Sequence, residues 1–147
     1  MKTISLTAVA TAVAMLAGVP AFAADHEIKM LNRGADGTMM VFEPAYLEIA
    51  PGDTVTFVAT DKSHNAETIA GMLPEGAEPF VGKMNQDVSY TFEEDGVYGI
   101  KCKPHYAMGM VALIKVGDPD NVAEAEAVSH PGKAKTVFQD LFAELAE

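Results

Sequence analysis

The stretch Cys102-Lys103-Pro104-His105-Tyr106-Ala107-Met108-Gly109-Met110 constrains this chain more than any other. It holds the only cysteine, a histidine after two intervening residues, and a methionine after four more. A thiolate, an imidazole and a thioether on one short loop form a soft donor set that favours copper. Such a set needs a second imidazole, and His64, followed by Asn65, offers it from upstream. Any fold that serves this loop must therefore bring two distant segments together.

The first residues belong to export rather than to that fold. Lys2 gives a positive start, Ile4 to Val19 carries no charge, and Pro20 precedes the small-residue pattern Ala21-Phe22-Ala23. This reads as a cleaved secretory signal over residues 1–23, leaving one domain over 24–147. The apolar run is shorter than the ~20 residues a membrane span requires. No membrane span is expected in the mature chain. Lys2 is the one charge in the leader, so the formal net charge of −11 becomes −12 once it is removed. That balance excludes nucleic acid, whose phosphates call for a basic surface. In an oxidising compartment a lone cysteine cannot pair within the chain, and an exposed thiol would oxidise. Burial or a bound metal resolves the tension.

After the leader, short apolar runs alternate with turns. Strands are expected at His26 to Leu31, Met39 to Phe42, Tyr46 to Ile49, Thr54 to Ala59, Val88 to Phe92, Val97 to Cys102 and Met110 to Val116. The clearest is Thr54 to Ala59, where Val55 and Phe57 alternate with Thr54 and Thr56. Pro44 implies an edge or a break before Tyr46. Residues 66 to 86 are interrupted by Gly71, Pro74, Gly76, Pro79 and Gly82, which predicts a long irregular connection with at most a short strand or helical turn. Two helices are expected near the end, Val122 to Val128 and Ala134 to Ala146. The second has Val137, Phe138, Leu141, Phe142 and Leu145 at helical spacing. Several short strands with turns between them predict an antiparallel sandwich.

Taken singly, each donor has an ordinary reading. A lone cysteine is commonly a small buried hydrophobe, His105 an exposed loop residue, Met110 a core residue and His64 a turn cap. Their joint spacing, on a loop between two strands, is restrictive. Met108 competes with Met110 for the thioether role. Met110 is preferred because the longer loop lets the chain curl before rejoining the sheet. His26 and His130 lie towards opposite ends of the mature chain and are set aside. Two imidazoles, a thiolate and a long thioether contact suit both copper oxidation states, whereas zinc has no redox chemistry. Asn65 is placed to tie the two segments together. Pro104 lacks an N–H, so one potential donor to the sulfur is missing.

These residues resemble the copper loop of the cupredoxins, the blue copper proteins. The resemblance extends over nearly all of the mature chain. It takes in Pro51-Gly52-Asp53-Thr54-Val55-Thr56-Phe57, His64-Asn65, and the two C-terminal helices that plastocyanin lacks. It implies a mainly β, Greek-key β-sandwich with two C-terminal α-helices. It implies one copper held by His64, Cys102, His105 and Met110, and periplasmic electron transfer, commonly to a copper nitrite reductase. A monomer is expected. Lys103 stands where the family more often has threonine.

His105 would be the electron's exit, ringed by Pro104, Ala107, Met108, Gly109 and Met40. Beyond them Lys62, Lys101 and Lys103 form a basic rim, which Lys83 extends. From Tyr98 to Gly117 there are three lysines and no acid in a strongly acidic chain. An apolar centre with a basic rim suits brief docking of an acidic partner. Two other classes compete. An enzyme with Cys102 as nucleophile and a histidine base lacks an identifiable third, orienting residue. A copper-delivery protein would not need two separated histidines. Three outcomes distinguish them: a blue or green oxidised protein for the carrier, a colourless thiol-reactive one for the enzyme, and binding of cuprous ion alone for delivery or storage.

Overall fold

The computed structural model describes residues 22–147; the expected leader lies outside them apart from its last two residues. Eight strands occur: β1 (Asp25–Arg33), β2 (Met39–Glu43), β3 (Tyr46–Ile49), β4 (Asp53–Val58), β5 (Glu67–Thr68), β6 (Val88–Phe92), β7 (Gly96–Lys101) and β8 (Val111–Val116). Helices α1 (Val122–Glu126) and α2 (Ala134–Leu145) follow. The strands form two four-stranded sheets, ordered β2-β1-β4-β6 and β3-β8-β7-β5. This is the expected Greek-key β-sandwich with two C-terminal helices.

Side-chain alternation builds the first sheet. Along β4, Val55 and Phe57 are buried while Thr54 and Thr56 face outward, where their hydroxyls meet Thr91 and Ser89 on β6 at 2.8 Å. Cross-strand hydroxyl pairs of this kind stabilise the solvated face of a sheet. The second sheet differs because both its faces are covered. Ala112, Ile114 and Val116 of β8 enter the core between the sheets, while Val111 and Leu113 pack under the helices. That double burial explains why β7 and β8 read as nearly unbroken apolar runs. Phe138, Leu141 and Phe142 of α2 supply the cover, each stabilising by about 1.5–3 kcal/mol when fully buried. Asn121 fastens the start of α1 by accepting from Val97 N–H at 2.8 Å and donating to its carbonyl at 3.0 Å.

One expectation needs correction. The sheets are not wholly antiparallel: β1 pairs with β4, and β3 with β8, in parallel. In each case the intervening chain has crossed to the other sheet and returned in the same direction. Strand existence is local, but pairing direction is set by those crossovers. Cys102 and Met110 lie just outside β7 and β8, and the irregular 66–86 connection contains only the two-residue β5.

Asp53 closes the N-terminal end of the first sheet. Its carboxylate accepts from Ala24 N–H at 2.8 Å and Ala50 N–H at 3.1 Å, and contacts His26 Nε2 at 2.9 Å. Those donors, Ala24 first, hold its carboxyl below the usual carboxylate range.

Candidate metal centre

Strands from both sheets deliver the candidate donors to one end of the sandwich. His64 follows β4 of the first sheet; Cys102, His105 and Met110 lie between β7 and β8 of the second. The loop is closed as a hairpin end: Cys102 N–H donates to the Met110 carbonyl at 3.0 Å, and Met110 N–H to the His105 carbonyl at 3.2 Å. A 3₁₀ turn at Tyr106–Met108 ends on Gly109, whose φ of 91° is the left-handed conformation glycine takes without strain.

Three donor atoms converge. His64 Nδ1 and His105 Nδ1 are 3.1 Å apart, and Cys102 Sγ lies 3.7 Å from the first and 3.5 Å from the second. A circle through three points with those separations has a radius of about 2 Å, close to ordinary metal–imidazole lengths. The donor set thus fits a first-row transition ion at its centre. Met110 is fully buried in the same apolar cluster as Cys102, whereas Met108 is 47% exposed. Of the two candidate thioethers, Met110 is the enclosed one and Met108 faces solvent. His26 and His130 lie outside the cluster, the first on Asp53 and the second on Tyr106.

Hydrogen bonding sets the state of His64. Its Nε2 lies 2.9 Å from Asn32 Oδ1. A carbonyl oxygen only accepts, so Nε2 carries the hydrogen and Nδ1 keeps a lone pair for a metal. Burial, and secondarily the charge of His105, pushes the His64 imidazole below its usual range and holds it neutral. Burial pushes the Cys102 thiol up, while the N–H groups of Asn65 and His105 pull the other way. Pro104 removes one donor, and two backbone donors remain. A thiol so placed ionises when a cation is there to compensate.

Asn65 ties the segments as expected. Its Oδ1 accepts from Lys103 N–H at 2.8 Å, and its Nδ2 donates to Glu67 Oε2 at 3.0 Å and the Gly82 carbonyl at 3.2 Å. Asn32 escaped the sequence reading, since nothing local marks one asparagine at the end of a strand. The backing of His64 by Asn85 escaped it too: Asn85 N–H donates to the His64 carbonyl at 2.9 Å.

Only His105 among the three clustered donors is not fully buried. Around the loop, Lys62, Lys83 and Lys103 are exposed. Lys101 is different: its ammonium lies 3.4 Å from Glu67 and 5.1 Å above the Tyr106 ring. Met40 is partly buried against the core, whereas Met39 is 45% exposed and shares a groove with Met108 and Gly109.

Residues 28–117 match the family of copper binding proteins of the plastocyanin/azurin type, and the chain belongs to that family. Within it, the similarity is to pseudoazurins. The chain is 50% identical to the pseudoazurin of Paracoccus pantotrophus over 97% of its own length and 96% of that protein. The solved pseudoazurin of Methylobacterium extorquens AM1 is 47% identical, with a TM-score of 0.79 over 82% of this chain and 98% of that one. That of Hyphomicrobium denitrificans is 41% identical, with a TM-score of 0.79 over 82% and 97%. The protein is a blue-copper electron carrier, with copper as its cofactor.

Proposed function

We infer that His64 Nδ1, Cys102 Sγ, His105 Nδ1 and the Met110 thioether hold the copper, and that the chain is an exported, periplasmic one-electron shuttle. Copper supplies a one-electron couple stable in both states within such a donor set. The observation that carries the assignment is the convergence of three donor atoms around one centre, two of them on fully buried residues. Asn32 orients the His64 ring, Asn65 holds the two segments in register, and the apolar core around Cys102 and Met110 excludes water. Residues already held near their final positions move little when charge changes, which favours fast transfer. No helix among the described residues is long and apolar enough to cross a membrane.

The exit is His105, and the partner is an acidic redox protein, with a copper nitrite reductase as acceptor. Lys62 and Lys103 carry the basic rim. Lys101 contributes less, because Glu67 offsets its charge. A delivery role fits poorly with donors this deeply enclosed. The test is the second-order rate of reduction of such a reductase across a salt series. Charges within a Debye length, ~8 Å at physiological salt, dominate the encounter, so the rate should fall as salt rises. Lys62→Ala with Lys103→Ala should slow association and leave the copper spectrum unchanged, and adding Lys101→Ala should change little more. A rate that climbs with salt, as the net charge alone would dictate, overturns the docking face.

A further inference from the structure

The loop that carries His105 is gripped from outside by the segment joining α1 to α2. Tyr106, next to His105, has its hydroxyl 2.6 Å from Nδ1 of His130. The His130 ring is stacked on Phe138 of α2, centroids 4.2 Å apart at 30°. One residue along the turn, the Ala107 carbonyl accepts from Lys133 N–H at 2.9 Å. Gly132 allows this approach: a Cβ there would lie 2.5 Å from the Ala107 carbonyl oxygen, at a φ of 52°. Gly109 closes the same contact from the loop side, where a Cβ would lie 3.1 Å from Val137 and 3.3 Å from Lys133.

His130 occupies this place at a cost. Its Nε2 is buried with no hydrogen-bond partner among the described residues. If Nδ1 accepts from Tyr106, Nε2 is an orphaned donor; if Nδ1 donates, Nε2 is an orphaned acceptor. Buried polar atoms are rarely left so, and a leucine would avoid the penalty. What leucine could not supply is the bond to Tyr106. Burial also pushes the His130 imidazole down, which keeps the ring neutral and able to accept.

We propose that His130 is a positioning residue for electron transfer: through the Tyr106 hydroxyl it braces the turn that carries His105 and limits how far that imidazole moves when the site is oxidised or reduced. The consequence for transfer rests on His105 being a copper ligand, as proposed above; the brace itself does not. The turn hangs on His105, whose carbonyl accepts from both Met108 and Met110 N–H at 3.1 and 3.2 Å. Fixing Tyr106 and Ala107 therefore fixes the backbone of His105. In this reading the C-terminal helices do more than cover the second sheet.

The test compares the full chain with His130→Ala, His130→Asn and Tyr106→Phe, each copper-loaded and metal-free. Asparagine places an acceptor near Nδ1 of the lost ring; phenylalanine deletes only the hydroxyl and keeps the packing under Lys101. In the metal-free protein, amide exchange at Met108 and Met110 should quicken about tenfold in His130→Ala and Tyr106→Phe, the effect of one hydrogen bond at the upper end of its usual range. Exchange in β4 should not change, and His130→Asn should recover most of the loss. In the copper-loaded protein, electron self-exchange should slow in the same two variants and recover in the third. Unaltered exchange in both His130→Ala and Tyr106→Phe overturns the brace. A quickened turn with self-exchange equal to the parent overturns its role in transfer. If His105 is not a ligand, His105→Ala leaves the parent's copper spectrum intact, a result separate from either.

Discussion

Replacing Asn65 with alanine removes three hydrogen bonds at one stroke. Lys103 N–H loses its acceptor, and Glu67 and the Gly82 carbonyl each lose a donor, at original distances of 2.8, 3.0 and 3.2 Å. Asn65 and Glu67 are both buried, so water does not readily take the vacated places. Intramolecular hydrogen bonds contribute about 1 kcal/mol each, and more when a charged partner is stranded, so the loss should be about 3–4 kcal/mol. Against the 5–15 kcal/mol typical of a folded domain that is a large fraction, equivalent to a Tm lower by roughly 10 °C. The assay is urea denaturation of the metal-free chain followed by circular dichroism, since there is no tryptophan to report by fluorescence. Asn65→Asp sharpens the result. It keeps an acceptor for Lys103 N–H but sets a second carboxylate against Glu67, so it should be no better than alanine at neutral pH. A metal-free Asn65→Ala chain within 1 kcal/mol of the parent would refute the idea that this side chain ties the segments energetically.

Cys102→Ser should abolish the intense visible absorption, because a hydroxyl oxygen cannot replace the covalent copper–thiolate interaction; absorbance of the copper-loaded variant checks this. Asn32→Ala should release the His64 ring and weaken copper affinity about tenfold, the lower end for loss of a residue that orients a ligand, read by competition with a copper chelator. Asp53 has its pKa lowered by folding, so its stabilisation is present above the unfolded-state value of about 4 and is lost as pH falls through the lower folded value. The parent's urea midpoint should thus fall more steeply below that pH than that of Asp53→Asn, which should be less stable at neutral pH and nearly equal to the parent in strong acid.

Much of this fold was legible wherever the signal is local. Val55 and Phe57 alternate with threonines, and Phe138, Leu141 and Phe142 fall on one helical face, so burial follows directly from spacing. Pairing direction was not legible, because nothing within β1 or β4 reports that the chain between them visits the other sheet. The site divides in the same way. Cys102, His105 and Met110 share one loop and could be read from their spacing, and His64 stood out because the chain has only four histidines. Asn32 gave no such sign. Lys101 was read as part of the rim because its neighbours in sequence carry no acid. The strand pairing of β5 with β7 sets it directly opposite Glu67, which only the folded chain brings there.

That His64 and Cys102 come from different sheets bears on the order of events in the life of the chain. Of the donors assigned above to copper, Cys102 and His105 are neighbours in sequence, whereas His64 lies far upstream. The third donor of the proposed set, His64, meets them only where β4 of one sheet and β7 of the other come together. Contacts so distant in sequence form late, since loop closure must come first. With the copper held as proposed, the complete donor set exists only in the finished structure, so the metal should act on that structure more than on the path to it. A ligand held at a thousand times its dissociation constant adds about 4 kcal/mol to the folded state, and one absent from the transition state does so by slowing unfolding. Copper loading should therefore slow unfolding and leave the refolding rate nearly unchanged.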